Sequence, residues 1–555
     1  MKSITKDKLY TSSLFSLLFL LAATITILAS VPPVSRDALT HHLAIPKLYL
    51  KHGGIYEIPD RPFSYYPMNL DLLYLVPLYF GNDIIPKLIH FFFALLTAWL
   101  IYGYLKKRTD SRYALLGALF FLSIPIIVKL SITVYVDLGL IFFTTASLLL
   151  LLKWIETEKI HWLILSGIMC GLALGTKYNG LISLLLLTLS VPVIYLRHPW
   201  KKPQTQLKSL GHTVLFVLVA LVIFSPWMIR NYLWTQNPIY PLYNQWFKPA
   251  TFQTTETQIE GQEVESNSTL KPFTLRKVVY KESGWEIITI PIRIFFAGKD
   301  DDPKRFDGKL NPFLILLPLL LIIGFRNQST ELRFEIKFFS SFSALFILFV
   351  FFQQDMRIRY IGSVIPLLVI LSIIGLYNLN TFLLKIPSQA YNKLLSTFQL
   401  VIISLFLLYN ILYIAKQFNI LDPFSYMTGK IDRGNYIERF RPEYEVIRYA
   451  NHNLSKTDKV IALFLGDRGY YMDFDVSFDK TWFQKLIVAS PSSGNTLMEI
   501  KKNGINHLIL RFDLLNDWIN TSLDEKQKIT LVAFFQNHTR LLYSKAGYGL
   551  YMIIP

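Results

Sequence analysis

The chain has 555 residues, of which 52% are hydrophobic and 17% charged, and its mean hydropathy is +0.37. This balance excludes a disordered chain, a collagen-like chain, a disulfide-stapled mini-protein and an ordinary cytosolic enzyme, and leaves a polytopic membrane protein with room for one soluble domain. The net charge of +18 fits basic cytoplasmic loops and anionic lipid rather than nucleic acid, and the single cysteine, Cys170, excludes an internal disulfide and Cys-based metal sites.

In chain order, Lys2, Lys6 and Lys8 precede an apolar run from about Leu14 to Val31, which Pro32-Pro33 ends. It reads as a retained signal anchor with the N-terminus in the cytoplasm. A first outer loop, 33–83, opens with Ser35-Arg36-Asp37-Ala38-Leu39-Thr40-His41-His42. Helical spacing puts Asp37, Thr40, His41, Ala44, Lys47 and Lys51 on one face and Leu39, Leu43, Pro46 and Leu50 on the other. That predicts an interfacial helix with its polar side toward water, split near Pro46. A carboxylate where the first span leaves the bilayer tends toward a raised pKa, which suits a general base, with Arg36 pulling the other way. The alternative is a helix-start aspartate stabilising free N–H groups. His41 is one turn on and could join Asp37 on a divalent metal, but no third ligand is evident. Otherwise His41 and His42 are a solvated pair at the interface. The run 68–80 is too short to cross and is expected to be membrane-embedded or interfacial.

Further apolar runs fall at about 84–104, 113–129, 138–153, 160–176, 179–196, 209–229, 310–325, 338–353, 360–378 and 397–416. With the first they predict about eleven spans. Lys106-Lys107-Arg108 with Arg112, the 197–208 connector (Arg197, Lys201, Lys202, Lys208) and Arg326 with Arg333 and Lys337 share the side of the basic N-terminus, the positive-inside pattern. The loops 33–83 and 230–308, the turns near 130–137, 177–178 and 354–359, and everything from 417 then face outward. On that side Tyr135-Val136-Asp137 leads into an apolar run, Lys177-Tyr178 forms a turn, Arg230-Asn231 follows Pro226-Trp227, and Arg357 and Arg359 lie between two runs. A lone cation at a helix end usually snorkels to headgroups. Several together, where positive-inside bias depletes them, suit a phosphate-bearing lipid. Asp300-Asp301-Asp302 reads as an acidic surface patch before a cation site.

From 417 the composition changes. A helix over about 442–454, a strand over 460–465, a helix over 497–502, a strand over 507–512, a helix over 523–536 and two strands flanking Gly547 predict a small α/β domain. The expected organisation is therefore a mainly α transmembrane region, 1–416, and an outer soluble domain, 417–555. Gly466-Asp467-Arg468-Gly469 reads as a tight turn rather than a phosphate loop. The sequence has no Gly-x-Ser-x-Gly elbow, His-Glu-x-x-His motif or phosphate-cradling glycine loop.

Asp37 after one span, Tyr65-Tyr66-Pro67, Tyr135-Val136-Asp137, Gly171 to Tyr178, Pro226-Trp227-x-x-Arg230-Asn231 and Asn237-Pro238-Ile239-Tyr240-Pro241 occur in an order and on a common side that resemble the integral-membrane glycosyltransferases of the C-type fold. Within them the chain resembles the bacterial branch of protein mannosyltransferases and lipid A aminoarabinose or galacturonic acid transferases. The resemblance spans about residues 10–380. It implies a sugar donor on polyprenyl phosphate, a lipid, glycan or protein acceptor, and transfer on the periplasmic side of a bacterial inner membrane. It also implies Asp37 as base or metal holder and Asp137 as a second acid near the donor. Lys177 with Tyr178, Arg230, Arg357 and Arg359 would then receive the departing phosphate, with His41 and His42 as auxiliaries. Ala38 stands where many relatives carry a second acid, which leaves Asp37 alone or with His41 and a divalent metal open. The competing functions are a lipid-linked oligosaccharide polymerase or ligase, and a transporter or flippase of polyprenyl-linked sugar. The last should carry ionisable residues at mid-membrane depth.

Overall fold

The computed structural model describes residues 2–197, 206–247, 272–353, 355–383 and 389–554. Lys201 and Lys202, and residues 248–271 of the second outer loop, lie outside the described residues.

In chain order the molecule opens with α1 (Lys2–Ala29), a π turn (Ala38–His42), α2 (Ala44–His52), α3 (Asn69–Tyr79) and α4 (Ile85–Arg108). The pair α5 (Ser111–Ser123) and α6 (Pro125–Ser131) follows, then α7 (Asp137–Thr157), α8 (Ile160–Leu174), α9 (Gly180–Arg197) and α10 (Gln206–Thr235). Thr330–Gln353, Ile365–Leu383 and Gln389–Leu421 are the remaining long helices of the bundle.

Among the described residues, eight helices are long and apolar enough to cross a membrane, or nine if α5 and α6 count as one broken span. This corrects the expected eleven. The other two predicted runs are helical but short. α8 has 15 residues, a rise of about 22 Å at roughly 1.5 Å per residue, against a hydrocarbon thickness of about 30 Å. Phe313–Ile322 is shorter still. The 64° bend between α5 and α6 has a local cause: Pro125 opens α6 and keeps Ile124 extended, at ψ 131°. α7 and the Ile358–Leu383 segment are enclosed by protein, whereas α1, α10 and Lys393–Leu421 expose apolar side chains on the rim. The bundle closes through small residues: a Cβ on Gly171 of α8 would stand 2.5 Å from the Ala220 carbonyl of α10.

The two ends of the bundle differ. At one end Arg108 of α4 donates to Glu335, at 2.6 Å, and Tyr104 donates to the same carboxylate. Asp37, Asp137, Lys177 and Arg359 collect at the other.

The segment after Leu421 carries strands β1 (Lys459–Leu463), β2 (Asp475–Ser477), β3 (His507–Arg511), β4 (Thr539–Lys545) and β5 (Tyr548–Ile553). They form one sheet in the order β2-β1-β3-β5-β4. β2, β1 and β3 run parallel, and β5 pairs antiparallel with both β3 and β4. The predicted α/β alternation is present, with β2 and the helices Lys480–Ala489 and Phe512–Ser522 in addition.

The first outer loop departs from an interfacial helix. The break falls at the π turn, where Leu43 N–H donates to Ala38 O at 2.9 Å, and Pro46 lies inside α2. The polar face is covered over much of its length, and Lys51 at its end remains exposed. Thr40, His42 and Ala44 are buried. Lys47 donates to the carbonyls of Tyr470 and Met472, at 2.8 and 3.0 Å, and pairs with Asp473 at 2.8 Å. The helix is packed between the bundle and the C-terminal domain, so Lys47 finds protein partners on a face expected to meet solvent.

Candidate active site

Asp37 immediately precedes the π turn. The wider turn adds a residue to the helical repeat, so His41 and His42 both stay near Asp37 while facing different neighbours. His41 stacks on Phe63, with ring centres 4.4 Å apart, and its centre lies 4.0 Å from that of His42. His42 Nδ1 is 2.7 Å from Asp71 Oδ1. Asp37 Oδ2 accepts from Arg359 Nη1 at 2.5 Å. The Asp37 side chain keeps 22% of its surface exposed, so an acceptor can reach it.

Burial pushes the Asp37 carboxyl up, but the charge and hydrogen bond of Arg359 outweigh it and hold the group well below the usual carboxylate range. The raised value expected from sequence is therefore corrected. Arg36, beside it in the chain, is exposed, and the controlling cation comes from 322 positions away. Burial and neighbouring His42 hold His41 well below the usual imidazole range, which makes its ring neutral. Because the Asp37 value is depressed, the stability its pairing contributes is fully present above the ordinary 3.8 and is lost as pH falls below that. We therefore expect kcat/KM to show no acid limb from Asp37 between about pH 5 and 8. A limb in that window that disappears in Asp37→Asn would contradict this.

Asp137 opens α7, where a negative charge favours the free N–H groups. It is 2% exposed; Lys177 donates to its Oδ1 at 2.8 Å, and its Oδ2 has no partner among the described residues. Around it Leu138 N–H donates to His90 Nε2 at 2.9 Å, and Tyr74 OH donates to Tyr135 O. The Arg359 guanidinium lies 5.2 Å from the Tyr135 ring centre and 5.5 Å from that of Tyr360, and Lys177 Nζ is also 5.5 Å from the latter. Asp37, Arg359, Tyr135, Tyr360, Lys177 and Asp137 thus form one continuous cluster. Lys177→Met leaves Asp137 charged and buried, and should destabilise the protein by about 3–5 kcal/mol. The double variant with Asp137→Asn should recover most of that in thermal unfolding.

Arg230 and Tyr178 belong to an adjoining polar knot. Arg230 donates to Tyr65 O at 2.6 Å and to Asn231 Oδ1, and stacks on Trp227 and Trp234 at 4.6 and 4.9 Å. Its Nη1 is buried without a partner among the described residues. Asn231 donates to Tyr65 O, Tyr178 OH and Tyr240 O, and Tyr178 OH donates to Tyr240 O at 2.9 Å. Asn69 accepts from Trp227 and sits against Gly175, whose added Cβ would meet it at 2.2 Å. Four of the quoted motifs thus meet here. Ring contacts from His41 through Phe63 and Tyr66 to Tyr178 join the knot to the Asp37 cluster.

Arg357 turns elsewhere. It lies 3.7 Å from Asp307, in a group where Lys129 of α6 is 3.6 Å from Asp300 and 3.3 Å from both Asp301 and Asp307. The acidic triplet is therefore partly occupied by a lysine, and Tyr413 OH donates to Asp300. Among the described residues no group of three His, Cys, Asp or Glu side chains is placed to hold a metal. With Asp37 engaged by Arg359 and His42 by Asp71, the donors at the Asp37 cluster do not fit a divalent ion. Sequence reasoning missed Asp71, Tyr360 and Asp307. An acid inside the apolar run 68–80 was the available signal for Asp71.

The described residues make a helical membrane bundle capped by a small sheet domain, with acids and cations gathered at the capped end. Residues 75–229 match the family model described as dolichyl-phosphate-mannose-protein mannosyltransferase. Over those residues the chain is similar to the glycosyltransferases of this protein-mannosyltransferase class. Its fold is similar to that of ArnT from Cupriavidus metallidurans in the apo state, at 13% identity and TM-score 0.57, covering 100% of this chain and 98% of that one. The same protein bound to undecaprenyl phosphate gives 14% identity and TM-score 0.55, covering 99% and 98%. The oligosaccharyltransferase of Archaeoglobus fulgidus in complex with Zn and sulfate gives 13% identity and TM-score 0.51, covering 97% of this chain and 74% of that one. At these identities the likeness is one of fold. No curated protein matches the chain by sequence.

Proposed function

We propose that the protein moves one sugar from a polyprenyl-phosphate donor to a lipid, glycan or protein hydroxyl at the outer face of a bacterial inner membrane. Asp37 acts as the general base. The observation that carries this reading is the Asp37–Arg359 pair at the C-terminal-domain end of the bundle, with Lys177 one aromatic ring away. A carboxylate clamped by an arginine is a weak base. An incoming donor phosphate competes for the guanidinium, since Arg binds phosphate well and in a bidentate manner. As Arg359 turns to the phosphate, Asp37 loses its strongest counter-charge and its basicity rises. The base is then released by the substrate that needs it.

The acceptor oxygen attacks the anomeric carbon and its proton passes to Asp37. The bond from that carbon to the phosphate oxygen breaks, and the electron pair leaves with the lipid phosphate. Arg359 stabilises that leaving charge, and Lys177 adds a second positive centre while remaining the partner of Asp137. The donor bond supplies the energy, so no nucleotide enters. ArnT from Cupriavidus metallidurans bound to undecaprenyl phosphate supports a lipid-phosphate ligand on this fold, and a lipopolysaccharide-modifying role follows the same analogy. The outward orientation rests on the alternation of basic helix ends: Arg108, Arg197 and Arg333 lie at helix ends opposite those that lead to the site. That alternation supports an N-terminus in the cytoplasm and a C-terminal domain in the periplasm.

The test is purified protein given polyprenyl phosphate carrying a radiolabelled sugar, with a membrane-lipid extract as acceptor. Transfer of a single sugar with release of polyprenyl phosphate supports the reading. Transfer of a long chain, or movement of the donor across vesicles without cleavage, overturns it.

A further inference from the structure

Between α1 and the helical turn that carries Asp37 runs a connector, residues 31–35, with no regular structure. Its carbonyls are nevertheless taken one after another by donors from elsewhere. Lys87, buried in α4, donates to Val31 O at 2.7 Å and Pro32 O at 3.4 Å. Tyr471 OH donates to Pro33 O at 2.8 Å. Arg441 Nε donates to Val34 O at 2.6 Å. Beyond Asp37, Tyr470 N–H donates to Leu39 O at 3.1 Å, and Lys47 returns the contact to the carbonyls of Tyr470 and Met472. Arg441, Tyr470 and Tyr471 all come from the C-terminal domain, Arg441 and Tyr471 reaching with side chains across 407 and 438 positions.

These donors are themselves fixed. The Tyr471 ring contacts Tyr444 and Tyr470, with centres 5.2 and 5.0 Å away, and Arg433 lies 6.0 Å from its centre. Arg433 pairs in turn with Asp83, one turn before Lys87. A connector without a hydrogen-bond ladder of its own keeps its dihedral freedom, and Pro32 and Pro33 supply no N–H with which to build one. A base displaced by about 1 Å can cost roughly 10²-fold in rate. External donors to successive carbonyls remove that freedom without placing any group on the substrate.

We propose that the C-terminal domain positions the base: Arg441 and Tyr471 hold the backbone that carries Asp37, and Lys87 secures the same strand from the bundle. This rests on Asp37 being the base. Arg441 and Tyr471 are positioning residues, acting only through Asp37.

The test uses the purified full-length enzyme and synthetic polyprenyl-phosphate sugar, with release of polyprenyl phosphate as the readout. Tyr471→Phe removes one hydroxyl and keeps the ring, and Arg441→Met keeps the stem. Each should lower kcat about 10-fold, with affinity for polyprenyl phosphate within about twofold of wild type. Arg441→Lys, which can still donate to Val34 O, should restore most of the rate. Lys528→Ala, at an exposed ion pair of the same domain, should leave it unchanged. The decisive measurement is a double-mutant cycle: in the Asp37→Asn background, Tyr471→Phe should have no further effect on kcat. An equal further loss in that background, or a fall confined to donor affinity, overturns the positioning role. A wild-type rate in Asp37→Asn alone overturns the base assignment instead, so the two failures are distinguishable. Should Arg441→Met yield no folded protein, the Tyr471→Phe cycle decides the matter by itself.

Discussion

Asp37→Asn is expected to lower kcat for sugar transfer by about 10²–10⁴-fold while leaving affinity for polyprenyl phosphate unchanged or tighter. The amide keeps the size of the carboxylate and can still accept from Arg359, so the packing of the π turn against Phe63 and His42 survives. What disappears is the exposed carboxylate that pairs with Arg359; Asp307, as exposed, is held by Lys129 and Arg357, and Asp37 keeps 22% of its side-chain surface, against 2% for Asp137 and 3% for Asp71. Neither of the other two can take over, because Lys177 covers the former and His42 the latter. Arg359, no longer held by a full negative charge, is freer to meet the donor phosphate, which is why affinity should not fall. Measuring kcat by release of polyprenyl phosphate, and affinity by equilibrium binding of the lipid phosphate, separates the two effects. A wild-type kcat would remove Asp37 from the chemistry.

Much of the architecture was legible because it follows from apolar length and local turn chemistry. The apolar runs all became helices, the strands around Gly547 formed, and four of the motifs quoted for the family converge on one knot around Asn231 while the other two meet at Arg359. What escaped the sequence depends on contacts between distant segments. The span count failed because whether an apolar run crosses is decided by where it breaks: Pro125 breaks one, and α8 stops after 15 residues, close-packed through Gly171 on α10. The polar side of α2 was assigned to water because nothing in its periodicity tells a solvated face from one covered by another domain. The basicity of Asp37 was misjudged for the same reason. Its neighbours in sequence predicted an unpaired acid near the bilayer, and the pairing arginine lies 322 residues on. β2 was missed because a three-residue strand carries too few alternations to register.

Arg359→Met should produce the second large effect, and it carries a pH signature that separates charge from packing. The arginine is 12% exposed, pairs with Asp37 and faces the rings of Tyr135 and Tyr360, so a methionine of similar length fills the space without the cation. Its loss removes the leading counter-charge from Asp37 while burial, which pushes the carboxyl up, remains. The Asp37 pKa therefore rises, a larger fraction is protonated as pH falls, and an acid limb absent from the wild type should enter the pH dependence of kcat/KM above about pH 5. At the plateau of that curve kcat should still be about 10²–10³-fold down, because the leaving phosphate has lost an oriented cation, and donor affinity should weaken by about 10-fold or more. Arg359→Lys keeps the charge but not the planar fork, and should fall between the two with the limb largely suppressed. A variant that binds polyprenyl phosphate as wild type does, and shows no new limb, would mean that the guanidinium only packs the bundle, and the exchange of Arg359 between Asp37 and the donor phosphate would have to be abandoned.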